Sequence, residues 1–414
     1  MYDTVFSGKF YYNGSFSDLD IGIENGIITA IKKHISSEKK VLKNAIIPAG
    51  TDTHVHFRDP GETESEDFST GTISALFGGT TTVFDMPNNR VKIDNYSTYR
   101  DKLEIVRRKA YCDFGLYSMF TGNNFNIISR ESSGIKIYLG DSTNTPGGYS
   151  FNESDIRNID KMNIPVYFHA EDASCLAAHK KAAPGLKEYC NIRPEKCEEI
   201  AIENAGKMGF KMGVITHMSH YYPTGYIKEV TPHHLMLNYD MPLGSYGKVN
   251  PPLRSEKTQA DLMDRYKNNE FNIISSDHAP HTQNEKMEFE YAKSGIIGVE
   301  TRMPLMLALV QKKIISFNTF YNTCIYNPAK LFGLRKGELR LGYYADFMSV
   351  DFSEMKRLND YNLHSKNPVS PFNGFETIFP GDVILRGEMA IEGHELVNDR
   401  RGKYTNELKN YKIE

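Results

Sequence analysis

The chain has 414 residues, of which 24% are charged and 40% hydrophobic, with a formal net charge of −3. This balance fits a globular protein and leaves no basic field to draw in nucleic acid or an anionic membrane. No apolar run approaches the roughly 18 residues that a membrane helix needs, and the start "MYDTVFSGKFYYNG" lacks the basic-then-apolar order of a secretion signal.

In chain order, residues 1–47 read as short strands: "TVFSGKFYYNG" and "DIGIENGIITAIKK" each carry an Asn-Gly hairpin signal. "SEDFSTGTISALFGG" reads as a helix, with acids and Ser at its start and Gly-Gly at its end. "TVFDMPN" follows as a strand and loop. "CDFGLYSMF", "GIKIYLG", "PVYFHAED", "MGVITHMS" and "FNIISSDHAPH" are further short β-type runs, separated by helix-type stretches such as "RSEKTQADLMDRYKNN". Alternation of this kind predicts a parallel sheet, and at this length a (β/α)8 TIM-like barrel over residues 48–335. "ADFMSVDF" and "DVILRGEMAIE" are strand-like again, so residues 1–47 and 336–400 are expected to form a small β-sandwich domain built from both termini. Residues 401–414 remain as a tail. The five cysteines, Cys112, Cys175, Cys190, Cys197 and Cys324, are odd in number and scattered without a C-x-x-C pair. They are expected to be reduced thiols in a cytoplasmic protein.

Several apolar runs end in a residue able to bind metal: His54 and His56, Lys136, His169, His217 and Asp277. Barrel active sites sit at the C-terminal ends of the strands, so these side chains would converge over one mouth. His-x-His on an extended segment turns both imidazoles to one face, because side chains alternate with period two. Singly, each residue has an ordinary reading: a buried histidine, a helix cap at Asp277, a lysine reaching to solvent from a strand end. Together and in this order they suit Zn²⁺ with open positions for water. In an apolar wall beside cations, Lys136 would lose its ammonium proton and could add CO₂ as a carbamate. Arg58, two residues beyond His56, would face the same side and offer a bidentate fork to a carboxylate. Its ordinary reading is a surface salt bridge with Asp59 or Glu62.

The set "THVHFRDPG", "DMPN", "GIKIYLG", "FHAED", "THMS", "TPHHL", "KVNPPLRS", "SSDHAPHT" and "GVET", running in order from about residue 44 to 335, resembles the dihydroorotase family of the amidohydrolase superfamily, as does "SPFNGFE" near 370–376. The resemblance implies two Zn²⁺ per subunit. His54 and His56 match the ligands of one, His169 and His217 those of the other, and Lys136 matches an N6-carboxylated lysine bridging the pair. Asp277 matches a residue that touches the first zinc and moves the proton. Arg58, Asn88 and His281 match partners of the substrate carboxylate, and Asn250 would lie near the substrate ring. The implied reaction is the reversible cyclisation of N-carbamoyl-L-aspartate to L-dihydroorotate in pyrimidine biosynthesis. Another cyclic amidase, acting on hydantoins, dihydropyrimidines or allantoin, is the competing reading; a scaffold without activity is the third. A homodimer is expected, and association with aspartate transcarbamoylase stays open.

"GDSTNTPGG" (140–148) reads either as a mobile lid, with Ser142 or Thr143 reaching substrate, or as a solvated loop. His233 and His234 are expected to be structural, His220 a supporting or surface residue, and Glu229 not the ligand of a further metal near His217.

Overall fold

The computed structural model describes residues 2–397, 399 and 401–409. Four N-terminal strands, β1 (Thr4–Tyr12), β2 (Ser15–Glu24), β3 (Ile27–Lys32) and β4 (Lys40–Pro48), open a β-rich domain. Its remaining strands, Phe347–Val350, Asp382–Leu385, Glu388–Glu392 and Glu395–Leu396, come from beyond the barrel. All eight pair in one order, with Phe347–Val350 antiparallel to β4 and β4 parallel to β1. Both predicted Asn-Gly turns are two-residue hairpin loops, with φ of 50° and 83° at Asn13 and Gly14 and 53° and 75° at Asn25 and Gly26. Positive φ at both positions is what the right-handed twist of a tight hairpin demands. Arg386–Gly387 makes the same turn in the C-terminal half.

The barrel is built from β5 (Gly50–Val55), β6 (Thr80–Asp85), β7 (Asp113–Met119), β8 (Gly134–Tyr138), β9 (Val166–His169), β10 (Gly213–Ile215), β11 (Ile227–Val230) and β12 (Ile273–Ile274). Neighbours pair in parallel in chain order. The ring closes where Val55 meets His278 and the His56 amide donates to the His278 carbonyl at 2.7 Å. Most of these strands are buried along their whole length, as strands covered by crossover helices must be.

The expected helix after the His-x-His strand is α1 (Phe68–Phe77). Asp67 caps it by accepting from the Ser69 and Thr70 amides, and Gly78 ends it. Of the crossover segments, α2 (Tyr96–Lys109) follows β6 and α3 (Glu153–Asp160) follows β8. Three helices, α4 (Ala173–His179), α5 (Leu186–Ile192) and α6 (Glu195–Met208), fill the connection from β9 to β10.

The cysteines depart from the sequence expectation of reduced thiols. Cys175 and Cys197 are joined in a disulfide, so the five cysteines are not all free thiols; Cys112, Cys190 and Cys324 are. The partners stand in the first turns of α4 and α6 and meet only when those helices pack, so nothing in their local spacing announced the bond. At the C-terminus, the short helix Thr405–Lys409 lies against β7, and Tyr404 bridges to Phe114. Of the expected tail, residues 410–414 lie outside the described residues.

Candidate active site

The strand-end residues converge. His54 and His56 leave β5, Lys136 lies on β8, His169 ends β9, and His217 and Asp277 follow β10 and β12 by two and three residues. All six, with Arg58, Asn88 and Asn250, line one cleft of about 390 Å³. His54 Nε2 lies 3.2 Å, and His56 Nε2 3.1 Å, from the same Asp277 oxygen. His169 Nδ1 faces His217 Nε2 at 3.1 Å. The His54 ring is 5.2 Å from that of His56 and 5.4 Å from that of His217, so the two pairs adjoin.

What stands behind each imidazole fixes which nitrogen faces inward. Glu229 lies 2.9 Å from His54 Nδ1, and Asn88 Oδ1 2.7 Å from His56 Nδ1, so those nitrogens donate outward and leave Nε2 as the inner lone pair. For His169 the polarity is reversed: Nε2 donates to Glu171 at 3.0 Å and Nδ1 is free to ligate. Burial pushes His54, His56 and His217 well below the usual imidazole range, and His169 below it, so all four are neutral donors at pH 7. Lys136 Nζ donates to Thr216 Oγ1 at 3.2 Å, and burial lowers its ammonium to about 8. A donor set of neutral imidazoles and a carboxylate, with a buried lysine beside it, fits a divalent cation, and the buried His217 Nδ1 has no hydrogen-bond partner among the described residues.

Three of these residues are held in left-handed backbone conformations that side chains rarely adopt: Arg58 at φ 62°, His217 at 37° and Asp277 at 47°. Such positions cost about 1–3 kcal/mol each and cluster where function requires a side chain to be aimed. At all three, the kink just beyond the strand turns the side chain into the mouth instead of along the sheet.

Arg58 is buried, donates from Nε to the Pro280 carbonyl at 3.2 Å and places Nη2 3.2 Å from His281 Nε2. The salt-bridge reading is not what the structure shows. Asp59 pairs with Lys109 at 2.6 Å, and Glu62 with Lys293 at 3.4 Å. His281 sits behind Arg58 and lines the adjoining small cavity, not the cleft. Asn88 lines the cleft, but its amide is spent on His56 and on the Thr143 carbonyl, 2.9 Å away. Asn250 Oδ1 accepts from the Tyr189 hydroxyl at 2.6 Å. Ser142 and Thr143 of the 140–148 loop also reach the cleft. His234 is bonded to Thr231 Oγ1 and the Pro251 carbonyl, away from the cleft. Sequence reasoning did not pick out Glu171, Arg193, Tyr189 or Ser294; only Glu171, two residues past His169 in "FHAED", carried a usable signal.

The amidohydrolase family matches residues 45–377, which is most of the chain. A dihydroorotase from Thermoplasma acidophilum is 50% identical over 97% of this chain and 98% of its own length; one from Thermoplasma volcanium is 49% identical over 97% of each. One from Methanosarcina acetivorans is 34% identical over 95% of this chain and 93% of its own. Among solved structures, an L-hydantoinase (dihydropyrimidinase) from Arthrobacter aurescens superposes with a TM-score of 0.90 at 24% identity, covering 98% of this chain and 99% of that one, a likeness of fold. The chain belongs to the amidohydrolase family, in its dihydroorotase branch. Among the described residues no helix is long and apolar enough to cross a membrane.

Proposed function

We propose that this chain is a dihydroorotase, which opens the ring of L-dihydroorotate and, in reverse, closes N-carbamoyl-L-aspartate as a step of pyrimidine synthesis. The observation that carries the reading is Arg58: a buried guanidinium opening into the same cleft as four neutral imidazoles, Lys136 and Asp277. The near full-length identity to dihydroorotases supports it. Hydantoin and dihydropyrimidine rings bring no carboxylate for Arg58 to meet, whereas dihydroorotate does.

We infer that His54 and His56 would hold one zinc ion and His169 and His217 a second, with Lys136 adding a carbamate to the donor set. Bound there, the two ions would supply an activated water and polarise the amide carbonyl. The protein's own work is positional. Arg58 fixes the ring by its carboxylate, which sets the distance from the scissile amide to the histidine cluster. Asp277, within reach of both His54 and His56, accepts a proton from the attacking water and returns it to the departing nitrogen. The 140–148 loop covers the ring and keeps bulk water out. The test is turnover of L-dihydroorotate by wild type, by chelated and zinc-restored protein, and by Asp277→Asn. Loss on chelation, recovery with zinc, and a drop of about 10²–10⁴-fold in Asp277→Asn are expected. Undiminished turnover in Asp277→Asn would remove it as proton carrier.

A further inference from the structure

We propose that Arg193 is a positioning residue that ties the loop over the cleft to the His169 side of the metal centre, an inference that rests on the function proposed above. Arg193 follows α5 and points its guanidinium at two targets. Nε donates to Glu171 Oε1 at 2.9 Å, and Nη2 donates both to Glu171 Oε2 and to the Asp141 carbonyl, the latter at 2.9 Å. Glu171 in turn holds His169 Nε2, which is what leaves His169 Nδ1 facing His217. Asp141 belongs to the 140–148 loop, and the two residues after it, Ser142 and Thr143, line the cleft. One rigid fork therefore grips both the carboxylate that orients a proposed ligand and the backbone from which the covering loop departs.

The surroundings keep that fork in place. The buried Arg254 donates to the Arg193 carbonyl at 2.6 Å. Glu171 lies just before α4 and Arg193 just before α6, and the first turns of those helices are joined by the Cys175–Cys197 disulfide and by the Asp172 amide donating to the Cys197 carbonyl at 2.9 Å. The loop's far side is pinned independently: the Asn88 amide donates to the Thr143 carbonyl and the Asn144 amide to Glu62, 2.7 Å away. With Arg193 removed, the loop would keep those two ties and lose the one at its base, while Glu171 would lose its guanidinium and its hold on His169 would slacken.

The experiment compares wild type with Arg193→Lys and Arg193→Gln on three readouts: amide hydrogen exchange of the 140–148 segment, zinc retained per chain against a graded chelator, and the separate kcat and KM for L-dihydroorotate. Arg193→Lys keeps the charge against Glu171 but cannot span both targets, so it serves if Arg193→Gln fails to fold. In both folded variants the loop should exchange faster and zinc should be retained about 10–100-fold more weakly, with kcat falling and KM rising together. Unchanged exchange and zinc retention in a folded variant would overturn the proposal, as would movement of one without the other. If wild type turned over no dihydroorotate, the functional reading would fail, yet loop exchange and zinc retention would still decide the role of Arg193.

Discussion

His220 stands three residues past His217 and faces outward from the cleft, with Nδ1 3.2 Å from Glu198 and Nε2 3.8 Å from Glu199. Burial works against its charged form, but Glu198 outweighs that and raises its pKa above the usual value; the nearby Arg254 opposes and Glu195 assists. A group whose folded pKa is raised stabilises the fold fully below its unfolded pKa and ceases to do so as pH rises through the folded value. His220→Gln should therefore cost more stability at about pH 5 than at about pH 9, since the unfolded imidazole titrates near 6.5. Thermal melts of both proteins at the two pH values check this; an equal or larger gap at the alkaline pH would refute it. Residue by residue, the polar side chains that end apolar runs were visible in the sequence, because a histidine or aspartate there breaks an otherwise hydrophobic pattern. What each one touches was not. Asn88 is turned onto His56, and His281 onto Arg58, by loops whose paths no local pattern specifies.

Among the elements, six of the eight barrel strands were readable as short β-type runs, and β5 as the extended His-x-His segment. The missing one is β11, "IKEV", two of whose four residues are charged. It carries Glu229, which accepts from the His54 ring and from the His217 amide and so buttresses both residues. Burial raises that carboxyl to about 7 even with Lys136 nearby. A strand this short and polar has no periodicity to betray it; only closure of the ring demands it. The α4–α6 disulfide was equally hidden, since its cysteines are 22 residues apart in sequence. Cross-linking a span of this length removes loop entropy worth about 3 kcal/mol from the unfolded chain. Cys175→Ser combined with Cys197→Ser should lower the melting temperature, and a dithiol should lower that of wild type towards the variant's. A double variant melting with wild type, with or without dithiol, would show that the bond adds nothing.

At the scale of the molecule, the strands before the barrel and those after it share one sheet, and a buried charge cluster fastens that sheet to the barrel. Lys336 donates to Asp113 at the start of β7 at 2.6 Å and also to Asp346 beside Phe347–Val350; Arg386, at the hairpin turn of the β-rich domain, meets the other oxygen of Asp113. Lys336→Met would take the shared ammonium from two buried carboxylates, and breaking a buried pair typically costs about 3–5 kcal/mol. A clearly lowered melting temperature, with the remaining folded fraction still active, is the expected outcome; unchanged melting would show that Arg386 alone satisfies the cluster. Strand–helix alternation made the barrel legible, and the paired Asn-Gly turns made the N-terminal strands legible. The joint was not, because Lys336 and Asp113 lie 223 residues apart and are brought together only by the assembled domains.

The most direct test is kcat/KM for L-dihydroorotate with zinc supplied, wild type beside Arg58→Ala. If Arg58 reads the substrate carboxylate in the cleft that the histidines share, wild type turns over and the variant loses about 2–5 kcal/mol of transition-state binding, some tens to thousands of fold. Equal activity in the two proteins, or turnover of hydantoin with none of dihydroorotate, would contradict the account.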